Sequence, residues 1–298
     1  MKYGLYGLFF VLSTACCVAV ASAGSLFGRA LRSQAYTCGG NTGTGMGVTG
    51  SGRAATENRP SGVFDSIRDT GCADIVVRVG PAPSVQVQAD DNVIPMISTS
   101  LSGGVLSIGS KGGFRTADAP KVIVTLPHLA RLDLAGSGDV QCSGVAGGRL
   151  VLTIAGSGDL KAEGSADALE LQLRGSGDAD LSALSVRELR LSESGSGDVH
   201  LRMPQGRDVA IESSGSEHID ISGSAENLYF SSSGDGDLNA AGLIAKHVVI
   251  RSRGSGDARV YATESLEANL SGSGDTRYRG NPKQIIKLIR GSGELIHV

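Results

Sequence analysis

The residues of this chain whose type and spacing suit chemistry are acidic. Asp139, Asp159, Asp178, Asp198, Asp237, Asp257 and Asp275 recur with Glu217 and Glu294 at intervals of 18 to 20 residues. Four Gly-Ser-Gly-Asp motifs come first, from Gly136-Ser137-Gly138-Asp139 to Gly195-Ser196-Gly197-Asp198. The variants Gly215-Ser216-Glu217 and Gly234-Asp235-Gly236-Asp237 follow, and then Gly254-Ser255-Gly256-Asp257, Gly272-Ser273-Gly274-Asp275 and Gly291-Ser292-Gly293-Glu294. A period of this length marks a stacked architecture in which equivalent residues line up along one edge. Carboxylates about 4.8 Å apart repel by about 0.9 kcal/mol in water and by several times that at lower dielectric, so such a row needs compensation.

Two chemistries supply it. In the first, the glycines take positive φ in a tight turn, while the Ser hydroxyl and Asp carboxylate accept backbone N–H groups. In the second, the seven aspartates, Asp139 to Asp275, hold calcium, a hard cation that takes about six to eight oxygens. Calcium-binding β-rolls also repeat Gly and Asp, but their nonapeptide unit brings ligands from two turns of each coil. Here one turn per coil carries the acid, a spacing that favours capping. No other cofactor is indicated.

Further chemistries lack their parts. A P-loop needs Gly-Lys-Ser/Thr opening a helix, and a dinucleotide loop needs a strand-to-helix turn. A nucleophile elbow needs Gly-x-Ser-x-Gly, which Gly136-Ser137-Gly138 does not provide. His128, His200, His218, His247 and His297 fall in different phases of the repeat; only His200 and His218 are placed to approach one another on neighbouring coils. The repeat region has no long out-of-register insertion to build a polysaccharide-cleaving groove, and aromatic residues are only 4% of the chain, too few for sugar-stacking platforms. The chain therefore reads as non-enzymatic.

The elements that position the acids are strands. Leu150-Val151-Leu152-Thr153-Ile154 and Leu169-Glu170-Leu171-Gln172-Leu173 alternate before a motif, and Leu160-Lys161-Ala162 and Val199-His200-Leu201 alternate after one. Period-two alternation on both sides of a tight turn gives two half-buried strands per repeat, with a looser turn near Gly144, Gly164, Gly206, Gly223, Gly242 and Gly280. The fold expected is all-β: a single-stranded right-handed parallel β-helix of about nine coils, its hand taken from the rule for parallel crossovers. Phe230 is the bulkiest expected core residue. Residues 63–131 carry strand signals without the motif, with a short helical turn or irregular link at Asn92–Ile97, and form N-terminal coils or a cap. Residues 132–298 are the regular repeats, and the last coil presents an unpaired strand edge suited to end-to-end self-association.

Met1-Lys2, an apolar run from about Leu5 to Val20 and Ala21-Ser22-Ala23 describe a signal peptide over residues 1–23, followed by export to the periplasm or the cell surface. Residues 24–62, rich in Gly, Ser and Thr, read as a flexible linker, because they bury too little apolar surface to offset ordering. Removal of the leader leaves Cys38, Cys72 and Cys142, enough for one disulfide of open pairing and one odd thiol. A net charge of −3 gives no basic footprint for nucleic acid and no polybasic membrane patch, and no membrane span remains after leader removal.

The repeat, together with Val63-Phe64-Asp65-Ser66-Ile67, Ala73-Asp74-Ile75-Val76-Val77, Asp91-Asn92-Val93-Ile94 and Pro127-His128-Leu129-Ala130-Arg131-Leu132, resembles the bacterial putative auto-transporter adhesin head GIN domain family over residues 63–298. The resemblance implies an exported right-handed β-helical domain, adhesin-like and without catalytic residues; the reading that leads is a binding protein whose partner is a protein or glycan at a surface. A structural envelope protein, calcium-stabilised and self-associating, is the alternative. A polysaccharide-active β-helix enzyme comes third.

Overall fold

The computed structural model describes residues 36–39 and 47–298. The expected leader and residues 24–35 and 40–46 of the expected linker lie outside the described residues. From Arg131 onward the chain winds as a parallel β-solenoid. Leu160–Leu173, Ala179–Glu193, His218–Ser232, Asp237–Ser252 and Ala258–Leu270 are long strands that bend midway. Successive coils pair in parallel: Leu169, Leu171 and Leu173 stand opposite Leu189, Leu191 and Glu193. The same register continues to Gln284–Ile289.

The alternation in the sequence becomes rows inside the coil. One inward row runs Val140, Leu160, Ala179, Val199, Ile219 and Leu238, and all six are buried. Phe230 sits inside as expected, 2% exposed, while its neighbour Tyr229 faces out beneath the Arg251 guanidinium. Because these rows are long and narrow, the core is filled by Leu, Ile, Val and Ala rather than by large rings.

The motif glycines serve a purpose other than the one expected. None has a φ in the left-handed region; the positive angles fall at the second bend, at Gly144 (76°), Gly164 (128°), Gly223 (120°) and Gly280 (92°). At the motif the requirement is close approach. A Cβ on Gly175 would stand 1.9 Å from the Gly156 carbonyl oxygen, and one on Gly177 would stand 2.1 Å from the Gly158 oxygen. Hydrogen bonds draw the corners together: Ser157, Ser176 and Ser196 N–H donate to the carbonyls of Gly136, Gly156 and Gly175 at 3.3, 3.1 and 3.1 Å.

The stack begins earlier than the regular motif. Ser66–Asp69 pairs in parallel with Arg131–Leu134, and Asp74–Val79 pairs in parallel with Val140–Ala146. Between them Gly71-Cys72-Ala73-Asp74 makes the same corner, and Gly71 O accepts the Ser137 N–H at 3.0 Å. The chain from Gly80 to Ala130 is thus an excursion inserted between the first coil and the second. Within it Ser84–Asp90 pairs antiparallel with Lys121–Leu126 and Ile97–Ser102 pairs antiparallel with Val105–Ser110, while Val105–Ser110 and Lys121–Leu126 add a parallel layer against Ser66–Asp69 and Asp74–Val79. Ile94–Met96 is the expected short turn, a single 3₁₀ turn.

The expected linker is ordered where it is described. Ala54–Arg59 is a strand paired antiparallel with Ser84–Asp90, and Tyr36–Cys38 pairs with Phe114–Thr116. Ala54–Arg59 contributes almost no core side chain; backbone pairing to an available edge, rather than apolar burial, offsets its ordering. A disulfide joins Cys38 to Cys72 across 34 residues. On the chain-entropy account, closing such a loop contributes about 3–4 kcal/mol. Cys72 stands at the Ser position of the first corner, outside the coil, where the strand Tyr36–Cys38 crosses; Cys142 faces inward opposite Val77 and Ala162 and stays a free, buried thiol, pushed up to about 12 by burial.

Gly177→Ala should lose about 3 kcal/mol or more, because the clashing atom is backbone and cannot rotate away. Ser176→Ala, at an exposed position of the same corner, should change stability by less than about 0.5 kcal/mol. Chemical denaturation of the two variants checks the comparison; equal losses would remove the close-approach account.

Candidate functional site

Each ladder aspartate is carried at the corner by the strand that follows it. Its Oδ1 accepts the backbone N–H of the equivalent residue one coil on: Asp139 from Asp159 at 3.1 Å, Asp159 from Asp178 at 2.9 Å, and Asp178 from Asp198 at 2.8 Å. The second run repeats this, with Asp237 accepting from Asp257 at 2.7 Å, Asp257 from Asp275 at 2.9 Å, and Asp275 from Glu294 at 3.0 Å. The carboxylates therefore cap the neighbouring coil, not their own turn as expected. The bond works because a carboxylate side chain is long enough to reach an N–H one coil away, and it offsets the repulsion along the row.

Two positions differ from the expected ladder. Asp74 heads it, accepting the Asp139 N–H at 3.3 Å. Its signal in the sequence is Gly-x-Ala-Asp at the same offset, hidden because the excursion breaks the period. Burial raises the Asp74 carboxyl, assisted by the Asp139 charge and opposed by the Asp139 N–H. Glu217, by contrast, is not on the ladder. It occupies the place of the motif's second glycine and points inward, 2% exposed, while His218 takes the ladder position and donates its N–H to Asp198 at 2.9 Å. The ladder is thereby split into two runs. The motif Gly-Ser-Glu-His is a residue out of phase with an acid-for-acid alignment.

Two residues beyond the ladder lies a second outward row: Gln141, Lys161, Asp180, His200, Asp220, Asn239, Arg259 and Arg277 in register. Lys161 Nζ meets Asp180 at 2.9 Å, and the Ser182 hydroxyl, then Lys161, hold the Asp180 carboxyl down to about 2. Arg277 spans Asp257 at 2.7 Å and Asp275 at 3.0 Å. Burial pushes the Asp257 carboxyl up, but the Asp275 N–H and Arg277 outweigh it and hold it below the usual range. Between the two rows, at the first coils, runs a shallow groove of about 570 Å³ lined by Asp159, Asp178, Lys121, Lys161, Asp180 and His200.

The histidines are not brought together. His200 stands between Asp180 and Asp220 on the second row, His218 opposite Asp237 on the ladder. His247 meets the Ser265 hydroxyl at 2.9 Å, and His297 stacks on Tyr278 at 4.8 Å between ring centroids. Among the described residues no three His, Cys, Asp or Glu side chains converge as a metal would need, and no helix is long and apolar enough to cross a membrane. The ladder supplies one carboxylate per coil, with one oxygen already engaged by backbone.

The capping geometry makes Asp178→Ala cost about 1 kcal/mol, since it strands the Asp198 N–H, while Asp178→Asn, which keeps an acceptor oxygen, costs less than half of that. Thermal melts of both should be insensitive to excess calcium or chelator. A rise of many degrees with calcium, lost in Asp178→Asn with Asp198→Asn, would make the ladder a cation site by linkage.

Solved structures share this architecture. A putative adhesin from Parabacteroides merdae is 23% identical, with 85% of this chain and all of the other covered at a TM-score of 0.62. A putative adhesin from Parabacteroides distasonis is 24% identical over the same shares, with a TM-score of 0.61. A putative lipid binding protein from Parabacteroides distasonis is also 24% identical over those shares, at 0.59. These likenesses speak for the fold. No curated protein matches the chain. The sequence profile of the family described as "Putative auto-transporter adhesin, head GIN domain" matches residues 63–185 and again 178–282. With its two matches laid over the same stack of coils, this chain belongs to that family.

Proposed function

We propose that the protein is a non-enzymatic, exported adhesin-like module that binds a protein or glycan at a surface of the cell envelope, in the periplasm or outside the cell. The observation that carries this reading is the regular outward sheet beside the ladder, where Lys161, Asp180 and His200 stand in register along a groove of about 570 Å³. Charged side chains on a stiff parallel sheet are pre-organised, so a ligand that matches their spacing orders little on binding. The family's description and the naming of its solved relatives as putative adhesins point the same way.

A glycan array probed with the full chain should show selective binding, and Lys161→Glu, which sets a like charge opposite Asp180, should weaken a hit by about tenfold, or about 1.4 kcal/mol. Binding indifferent to Lys161→Glu would move the site off this groove, and an array without hits would remove the glycan arm in favour of a protein ligand.

A second reading has its own observation. The last long strand, Gln284–Ile289, is exposed throughout, with Ile285 at 44%, Ile286 at 51%, Leu288 at 42% and Ile289 at 39%. Ile285 and Ile289 lie over Leu266 and Leu270, so the final layer of the core is open. Self-association at this coil would cover it, although Lys287 in the same inward row is the kind of charge that blunts an edge. Sedimentation of the ligand-free chain over a range of concentrations should show assembly that Ile285→Glu abolishes; a monomer at every concentration discards this reading.

A further inference from the structure

Halfway along the solenoid the apolar filling gives way to acid. The inward row reads Leu173, Glu193, Ser213, Ser232, Ser252 and Leu270 on successive coils. Glu217 joins it from the neighbouring corner, where it stands in the row of second motif glycines. The side chain fits because the next coil has Gly236 there, whose added Cβ would fall 2.7 Å from the Glu217 carboxyl carbon. Glu193 and Glu217 are each 2% exposed.

One oxygen of each carboxyl group is satisfied. Glu193 Oε1 accepts the Gly195 N–H at 2.7 Å, and Glu217 Oε1 accepts the Ser213 hydroxyl. The other two, Glu193 Oε2 and Glu217 Oε2, are buried without a partner. They face the same gap: a Cβ on Gly215 would stand 2.8 Å from Glu217 Oε2 and 2.9 Å from Glu193 Oε2. Two anions there would leave two buried acceptors turned on each other with no side-chain donor or cation between them, an arrangement disfavoured by desolvation and repulsion together. A single proton removes both penalties, because an O–H on one carboxyl group donates to the other.

We propose that Glu193 and Glu217 share one proton across adjacent coils and act as a pH-sensitive latch in the middle of the solenoid. Burial first, then the hydrogen bond and charge of Glu217, push the Glu193 carboxyl up to about 8, against the Gly195 and Gly215 N–H groups. Among the described residues Glu217 is the one titratable group bearing on Glu193, and no cation does so. Leu173 and Ser213 flank Glu193 in its row, and Gly197 and Gly236 flank Glu217 in its own.

The sign follows from linkage. Below the ordinary carboxylate range both folded and unfolded chains hold the proton, and the latch imposes no penalty. Between that range and about 8 the unfolded chain releases a proton that the folded chain keeps, so stability falls as pH rises. Above about 8 Glu193 releases its proton and the coils around it loosen. Asp69, an inward acid at the first coil that burial raises to about 6, adds a slope of the same sign over the lower part of this window, and Glu193→Gln separates the two.

The test uses the full chain. Denaturant titrations between pH 6.5 and 8 should show the folding equilibrium of the wild type falling about tenfold per pH unit, and Glu193→Gln, a neutral isostere that can still donate to Glu217, should flatten that dependence. Hydrogen exchange should show Leu189–Ser232 losing protection above pH 8 while Leu150–Leu173 keeps it. Infrared spectra at pH 7 should contain a protonated carboxyl stretch that Glu193→Gln removes, a readout independent of stability. Parallel pH curves for the two proteins, or no such stretch in the wild type, would falsify the shared proton. A stability gain from sodium or calcium chloride at pH 7 that Glu193→Gln abolishes would also overturn it, by placing a cation where the proton is proposed.

Discussion

Stacked corners can approach to hydrogen-bonding distance only if nothing projects between them, and this close approach governs the whole stack. At the motif corner the carbonyl of the first glycine in one coil receives the Ser N–H of the next, and the atom that would prevent this is a Cβ. With one there, the backbones would be forced apart and the parallel ladders on both sides would lose register. The strand pairing, the continuous inward rows and the outward rows all follow from corners that can touch. The glycines are thus tolerated for the space they leave rather than for the angles they adopt, in contrast to the second bend, where Gly144, Gly164, Gly223 and Gly280 do take left-handed angles.

The aspartate ladder completes the same corner. Except at Asp237, whose N–H donates to the Glu217 carbonyl, the N–H after the second glycine is taken by the carboxylate one coil earlier. Each acid is thereby bound to a donor, which makes a long row of like charges compatible with a stable stack. The row of charges beside it, where Lys161 meets Asp180 and Arg277 spans two aspartates, relieves the field further. A surface ordered in this way offers fixed charge at a fixed spacing.

Where the repeat departs from its rule, the departures cluster. The coil with Gly-Ser-Glu-His turns its acid inward, interrupts the ladder with His218 and meets a second acid, Glu193, in an inward row that goes on through Ser213, Ser232 and Ser252. In an interior built of Leu, Ile and Val, polar groups without partners are costly, so a carboxyl pair in mid-stack marks a place where stability has been given up for some other property. The same logic applies in milder form to Asp69 at the first coil.

The sequence by itself determined the solenoid, the two strands per coil, the inward rows and the edge on which the acids stand, because each is written in a local period that every coil repeats. It also carried the family resemblance and the core position of Phe230. Only the tertiary structure decided what depends on residues far apart in the chain. Asp74 became the head of the ladder because the excursion from Gly80 to Ala130 returns the chain to stack on it. Cys72 paired with Cys38, not Cys142, because its corner faces outward under the strand Tyr36–Cys38. Ala54–Arg59 became a strand because an edge was there to receive it. Glu217 left the ladder because register, counted along the stacked backbone, placed it one residue earlier than its charge suggested, and there its carboxyl group met Glu193.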